Sequence, residues 1–342
     1  MQRRTNDGVI ARAAAVADNR LVVAGRRSSV EEWQASLDSL FVTRINLITA
    51  FEICFFLWSI VSALAIFWIL WHGSRYAPAL KSAVNAKWPW GVLDVLGCYL
   101  IIAILPAVAI TTLKDASPGI KSLGTLLAEL LALGVILVWL GIKYHTSAVK
   151  RLFSLEPRSG SGETFPPWVK KATLGLLTGL ISIPVILRIH LISQLLNEYS
   201  HPTLEDMQNR TELLLIVAQA IRAIFVASIL EELFYRGLLQ GFLQRLQASA
   251  KPSLESLLAG GERCELPVWK VSSSPPPSWP IFASASFFAF GHLNLGASAI
   301  PLFFFGLILG YLFRRSGSLI PCIACHSLLN AYSIVQILII SG

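Results

Sequence analysis

Long apolar runs dominate this sequence and restrict the folds that it can adopt. A helix needs about 20 consecutive apolar residues to cross the hydrocarbon core of a bilayer, which is ~30 Å thick. We predict eight such spans, at residues 46–71, 90–112, 122–143, 169–195, 213–245, 279–296, 298–313 and 318–340. The fifth is too long for a simple crossing and the seventh is short, so we expect broken or tilted helices there. The predicted fold is an all-α, polytopic membrane helical bundle of about eight transmembrane spans.

The composition of the chain agrees with a membrane location. Hydrophobic residues make up 54% of the 342 residues and charged residues only 14%, whereas soluble domains carry roughly 25% charged residues. This excludes a soluble globular enzyme. The formal net charge is +8, but the basic residues lie mostly between the apolar runs, so we expect membrane lipid rather than nucleic acid as the partner. We expect a multi-pass, integral protein of the cell (inner) membrane.

The chain divides into three regions by composition. Residues 1–45 form a polar, Arg-rich N-terminal tail, and residues 46–200 hold the N-terminal membrane helices. Residues 210–340 form a membrane core in which ionisable residues concentrate. Inside this core, residues 247–279 include a Ser/Pro-rich stretch whose composition does not pack a hydrophobic core. We predict an exposed insertion there.

Some charged residues lie inside the predicted spans but close to their ends. A charge at the bilayer centre costs about 3 kcal/mol or more, so each one needs a partner, a route to the interface or a function. We expect Glu52, Asp94 and Glu129 to pair or to reach the interface. Interhelical pairing with Glu52 or Glu129 is one role that we expect for Arg222.

Two adjacent carboxylates and an arginine lie near the middle of the fifth apolar run. On a helix, Glu232 and Arg236 are four residues apart and share a face, whereas Glu231 points about 100° away. Arg236 can therefore neutralise Glu232 and leave Glu231 without a partner. A carboxylate in an apolar site becomes a stronger base when water is excluded, which suits a general base.

Two later spans each contribute a histidine at a similar predicted depth. Phe288 precedes His292 by four residues, and Asn330 follows His326 by four residues. A lone buried histidine is usually part of a satisfied core, but two histidines, an amide and the unpaired Glu231 on three spans indicate a shared polar site.

The residue pattern is compatible with two cofactor sites, one for haem and one for zinc. Cys322 to His326 match the C-x-x-C-H pattern of covalent haem attachment, but the match lies inside a transmembrane run, and we interpret it as chance and expect no haem. Glu231, His292 and His326 could instead hold a catalytic zinc ion with water in the fourth position. Asn330 suits an amide donor better than a metal ligand, and H-x-x-x-N differs from the H-x-x-x-H of zinc helices. We favour no cofactor, with zinc as the alternative.

At these residues the sequence resembles the CPBP family, the CAAX-processing and bacteriocin-processing (Abi) intramembrane peptidases, which include type II CAAX prenyl endopeptidases. The resemblance covers about residues 210–340 and rests on three motifs. They are E-E-x-x-x-R at Glu231, Glu232 and Arg236, F-x-x-x-H at Phe288 and His292, and H-x-x-x-N at His326 and Asn330. Each motif alone is weak evidence for the family, but three motifs in this order, each in an apolar segment, are strong evidence for the resemblance.

The resemblance implies an intramembrane endopeptidase that hydrolyses a peptide bond of a membrane-associated protein or peptide. The substrate would be a CAAX-like protein, such as one prenylated at its C terminus, or a leader peptide or sorting tail. By this resemblance Glu231 and His292 activate a water molecule, while His326 and Asn330 stabilise the oxyanion.

The same resemblance implies structural support from Glu232, Arg236 and Phe288. It leaves open whether the enzyme is of the glutamate type, which we favour, or a metallopeptidase. A non-catalytic membrane scaffold or immunity-like protein of the same family is the alternative function, although a scaffold has no need of buried polar groups. A transporter is a third reading, but no pair of interrupted segments in two halves supports it.

Overall fold

The computed structural model describes Thr49 and residues 53–65, 88–155, 166–195, 212–248, 253–261 and 278–341. Within these ranges the chain is helical and contains no strand, which confirms the predicted all-α class. The chain divides into two compact units, Met1–Ile60 and Val61–Gly342, and the second contains the candidate site. The predicted N-terminal tail, residues 1–45, and Glu52 lie outside the described residues.

The described helices are numbered here in chain order. They are α1 (Ile53–Ala65), α2 (Val92–Thr112), α3 (Pro118–Leu152), α4 (Pro167–Gln194), α5 (Leu213–Gln247), α6 (Leu254–Ala259), α7 (Trp279–Phe290), α8 (Ala299–Ser316) and α9 (Ile320–Ser341). A short 3₁₀ helix, Leu293–Ser298, connects α7 to α8.

Five helical segments in the described part of the chain are long and apolar enough to cross a membrane. They are Val92–Thr112, Pro118–Leu152, Pro167–Gln194, Leu213–Gln247 and Gly296–Ser316. Their outward side chains are apolar: on α2, Leu96, Leu100 and Ile104 remain about half exposed. Apolar surface of this extent faces lipid rather than water. The chain is an integral, multi-pass membrane protein.

Two predicted spans differ from the helices that form. The helix predicted over 279–296 ends at Phe290 and has 12 residues, which places His292 in a turn rather than within a span. The helix predicted over 122–143 extends to Leu152 and is kinked at His145, whose φ of +65° is not helical.

We expected the fifth apolar run to form a broken or tilted helix. The prediction of a broken helix is wrong. α5 runs without interruption from Leu213 to Gln247. Two stretches within it, Arg222–Ala227 and Leu233–Gln240, are π-helical. A π-helix inserts an extra residue into each turn, so the helix changes the direction of its side chains without ending.

The buried Asp94 carboxylate joins the start of α2 to the end of α3. Lys143 Nζ lies 2.7 Å from Oδ1, and Trp139 Nε1 donates to the same oxygen at 3.3 Å. The Tyr144 hydroxyl donates to Oδ2 at 2.5 Å, and the Gly91 N–H donates to it at 2.8 Å. Asp94 is thus paired as expected, but inside the protein rather than at the lipid interface, because donors from a distant part of the chain surround it.

A second ion pair joins α3 to α5. Arg222 Nε donates to Glu129 Oε1 at 2.8 Å. We expected Arg222 to pair with Glu52 or Glu129, and the observed partner is Glu129. Glu212, immediately before α5, accepts from the Gly119 N–H at 3.0 Å and from the Ser117 hydroxyl at 3.1 Å. The Glu212 carboxylate therefore caps the N terminus of α3.

Part of the predicted insertion at 247–279 is attached to the membrane core. Its described residues include α6, whose surface is exposed or half-exposed. The Gly261 N–H donates to the Pro89 carbonyl at 2.8 Å, and Arg245 hydrogen-bonds the Ser256 hydroxyl. This part is exposed as expected but is held by hydrogen bonds, while residues 262–277 lie outside the described ranges.

Two glycines allow α4 to approach α9 closely. A Cβ atom on Gly175 would overlap the backbone of Pro321, and one on Gly179 would meet the Leu328 side chain at 2.9 Å. Small residues four apart allow membrane helices to pack backbone against backbone. Because α9 carries His326, this contact determines how far that histidine reaches into the bundle.

We therefore predict that Gly175→Ala destabilises the protein. The added Cβ pushes α9 away from α4, and overpacking of this kind costs about 1–3 kcal/mol. The melting temperature of the purified protein in detergent should fall. Gly97→Ala is the matched control, because a Cβ on that α2 glycine has nothing within 4 Å. Equal melting temperatures for the two variants would contradict the packing argument.

Candidate active site

The first motif occupies a short α-helical stretch between two π-helices. Ser228–Glu232 lies between Arg222–Ala227 and Leu233–Gln240. π-helices are rare and often occur at functional sites, where they turn side chains away from the direction that an α-helix would give them. Glu231 and Glu232 therefore lie in an α-helical stretch that is followed and preceded by the wider turns of a π-helix.

Glu232 is fully buried and receives two donors on a single oxygen. Its Oε1 accepts from Arg236 Nη1 at 3.0 Å, as the four-residue spacing predicts, and from His326 Nδ1 at 2.8 Å. Arg236 is also fully buried, and its Nη2 lies 3.5 Å from the Gly306 carbonyl. This ion network links α5 with α8 and α9.

The Phe288 ring is the apolar centre around which the three motifs meet. The guanidinium carbon of Arg236 lies 4.5 Å from the ring centroid, a cation–π distance. The ring centroids of His292, Tyr235 and His326 lie 4.9, 5.1 and 6.0 Å away. Phe288 is fully buried, so each of these groups is held against a fixed surface.

Glu231 differs from its neighbour in both exposure and contacts. Its side chain is 30% exposed, whereas that of Glu232 is completely buried. His326 Nε2 lies 3.9 Å from Glu231 Oε2, which is too long for a hydrogen bond. The carboxylate and this nitrogen face each other, and each can still bond a third group.

His292 is positioned by the end of α7. Its Nδ1 lies 2.7 Å from the Phe288 carbonyl oxygen. A carbonyl only accepts, so the proton is on Nδ1 and the neutral ring keeps Nε2 as an acceptor. Among the described residues, no hydrogen bond connects His292 directly to Glu231 or to His326. The Phe288 ring contacts both histidine rings.

The Asn330 amide contacts α5 instead of the histidine rings. Its Nδ2 donates to the Ala223 carbonyl at 2.7 Å and to the Ser228 hydroxyl at 3.2 Å. Both N–H bonds of the amide are engaged in these contacts. Asn330, on α9, thus contacts the first π-helical stretch of α5 at one side of the site. Its amide can donate to another oxygen only when the hydrogen bond to Ala223 or to Ser228 opens.

The alternative zinc site can be examined from its three predicted ligands. Glu231 and His326 lie 3.9 Å apart at their nearest polar atoms, whereas the Nδ1 atom of His292 is bonded to the Phe288 carbonyl. In the ranges that the structure describes, no group of three or more His, Cys, Asp and Glu side chains could hold a metal ion. The described geometry thus does not assemble the predicted ligand set.

Sequence reasoning missed several groups that contact the site. Tyr235 packs against Phe288, Phe305 lies 5.5 Å from the His326 ring, and Ser228 is a bonding partner of Asn330. Tyr235 could have been found, because it follows Glu231 by four residues within the first motif. Ser228 and Phe305 carry no such signal, because their roles depend on contacts between distant helices.

Comparison with known proteins gives one match, in the region of this site. Residues 213–332 match the family model described as type II CAAX prenyl endopeptidase Rce1-like. No curated protein and no solved structure matches the chain. The matched segment contains all three motifs, which confirms the resemblance drawn from them. Residues 213–332 are therefore similar to the Rce1-like domain of type II CAAX prenyl endopeptidases.

Proposed function

We propose that this protein is an intramembrane endopeptidase that hydrolyses a peptide bond of a membrane-associated protein or peptide. The observation that carries the proposal is the meeting of three motifs from separate helices around Glu232 and Phe288, inside a segment that matches an endopeptidase family. A CAAX-like C terminus, a leader peptide or a sorting tail is the substrate class. The match to a protease family does not favour a non-catalytic scaffold.

Glu231 is the proposed general base. It takes a proton from a water molecule while the water oxygen attacks the carbonyl carbon of the peptide bond. His292 Nε2, an acceptor in the neutral ring, holds the second hydrogen of the same water. The proton on Glu231 then passes to the amide nitrogen as the C–N bond breaks, which gives a carboxylic acid and an amine. The partial exposure of Glu231 supports this role, because a base must reach its substrate.

His326 and Asn330 are the proposed donors to the oxyanion. His326 Nδ1 already donates to Glu232, so donation from Nε2 requires the imidazolium form. For Asn330, the bond to Ser228 is longer than the bond to the Ala223 carbonyl. We propose that this longer bond opens when substrate binds, since catalytic hydrogen bonds often form only in the substrate complex.

Glu232, Arg236 and Phe288 are the proposed supports of the site. The carboxylate orients the His326 ring, the guanidinium neutralises the carboxylate, and the phenyl ring holds both histidines at a set distance.

The finer membrane arrangement is also a proposal. We propose about eight apolar segments in the cell (inner) membrane, with α1, α7 and α9 as embedded segments in addition to the five spanning candidates. Their apolar sequences support this, although α1 and α7 are short.

Replacing Glu231 by Gln tests the proposed base. The amide keeps the shape and a hydrogen-bonding group but does not accept the proton, so kcat should fall by roughly 10²–10⁴ while the protein still folds. Cleavage of CAAX, leader and sorting-tail peptides by purified protein in lipid nanodiscs, followed by mass spectrometry, measures this. A loss of less than tenfold would remove Glu231 from the mechanism.

The same assay separates a glutamate-type from a metal-dependent enzyme. We expect a chelator to leave wild-type cleavage unchanged and added zinc to rescue no variant. Stoichiometric zinc in the purified protein, together with chelator inhibition that zinc reverses, would show a metallopeptidase instead.

A pair of variants tests whether Asn330 acts on the oxyanion or only attaches α9 to α5. Asn330→Ala should lower kcat by roughly 10²–10³, as loss of an oxyanion donor does. Ser228→Ala removes only the acceptor of the longer bond, so kcat should stay within a few fold of wild type. Equal losses in the two variants would show that the amide works through its contact with Ser228.

The support role of Arg236 predicts a loss of stability. Arg236→Ala leaves the Glu232 carboxylate buried without its counter-charge, and breaking a buried pair in this way costs about 3–5 kcal/mol. The folded amount in membranes and the melting temperature should both fall. The double variant Glu232→Gln, Arg236→Met removes both charges and should recover much of this stability. Normal folding of Arg236→Ala would contradict the role.

A further inference from the structure

Tyr235 is held in one orientation beside the proposed catalytic groups. It follows Glu231 by four residues on α5 and precedes Arg236 directly. Its ring packs edge-on against Phe288 at 5.1 Å and against Phe234 at 4.9 Å. The Ser284 hydroxyl donates to the Tyr235 carbonyl at 2.8 Å, which also holds the backbone in place. Ring and backbone are therefore both restrained.

The Tyr235 hydroxyl lies over the turn that carries His292. A Cβ atom on Gly291 would be only 2.6 Å from this oxygen, so the absence of a side chain at Gly291 makes room for it. The hydroxyl thus lies beside the residue that precedes the proposed water-binding histidine, and its ring shares the Phe288 contact with that histidine.

This hydroxyl is an unused donor within the described part of the chain. It donates no hydrogen bond there, although a tyrosine in a partly buried position usually finds a partner. Asn330 differs, because both of its amide N–H bonds are already engaged. A rigid ring with an open hydroxyl is what a preorganised donor to a substrate oxygen requires.

We propose that Tyr235 is a further catalytic residue, whose hydroxyl donates a hydrogen bond to the carbonyl oxygen of the scissile peptide bond. The bond strengthens as negative charge develops on that oxygen. No covalent bond to the phenol forms and its proton stays in place, so the water, Glu231 and the leaving nitrogen still account for every transferred proton. This inference rests on the proposed peptidase function.

Tyr235→Phe removes the hydroxyl and keeps the ring. We expect kcat to fall by roughly 10²–10³, as for other single oxyanion donors, with KM nearly unchanged because the bond matters most in the transition state. The melting temperature should equal that of wild type, since both ring contacts remain. Tyr99→Phe is the matched control, because the Tyr99 ring also contacts Phe234, at 5.7 Å, but is 53% exposed. Loss of this hydroxyl should leave kcat unchanged.

A double-mutant cycle with Gly291 tests the position of the hydroxyl itself. Gly291→Ala places a methyl group against the hydroxyl and should lower kcat in the wild-type background. In the Tyr235→Phe background that clash is absent, because the other neighbours of the new Cβ lie at 3.5 Å or more. Gly291→Ala should then cause no further loss of kcat. Additive losses would overturn the proposed contact.

The reference variant keeps the two proposals distinguishable. Cleavage by wild type that is lost in Glu231→Gln supports the peptidase function, and a Tyr235→Phe rate equal to wild type then overturns the role of Tyr235 alone. Equal rates for wild type and Glu231→Gln overturn the proposed function and this inference together. A Tyr235→Phe variant that loses kcat only as its melting temperature falls would make Tyr235 a packing residue.

Discussion

A carboxylate that is removed from water must be neutralised inside the protein, and Glu232 is the group on which the arrangement of this site depends. One of its oxygens accepts from both Arg236 and His326. Arg236 supplies the counter-charge from α5 itself, and the His326 hydrogen bond joins this buried pair to α9. The contact of Arg236 with the Gly306 carbonyl extends the same network to α8.

Apolar packing determines the distances that the ion network alone leaves open. Gly175 lets α9 lie against α4, and the Phe288 ring contacts both Arg236 and the His292 ring. Such contacts are short-ranged and steric, so they limit how closely neighbouring helices approach. The buried charges limit which face of each helix is turned toward its neighbours. Together they leave Glu231 as the carboxylate that faces outward.

Parts of this site follow from residue spacing, and others depend on contacts that spacing does not encode. The pairing of Glu232 with Arg236 follows from two opposite charges four residues apart in an apolar helix. The predicted span around His292 was wrong because α7 stops at Phe290. The π-helical stretches of α5 have no signature in the residue pattern, since they arise from how the backbone hydrogen bonds shift. The contact of Asn330 with the Ala223 carbonyl depends on one of them.

The two adjacent glutamates illustrate how one helix supplies both a fixed charge and a free carboxylate. Glu232 is fully buried with two donors on one oxygen, whereas Glu231 is 30% exposed and has no donor at hydrogen-bond distance in the described structure. Exclusion of water strengthens every charge interaction in such a site. The same exclusion of water that requires a counter-charge for Glu232 would also strengthen the hydrogen bond from a single hydroxyl to a developing oxyanion. A donor as modest as the Tyr235 phenol therefore becomes more effective here than it would be on the surface of a soluble protein.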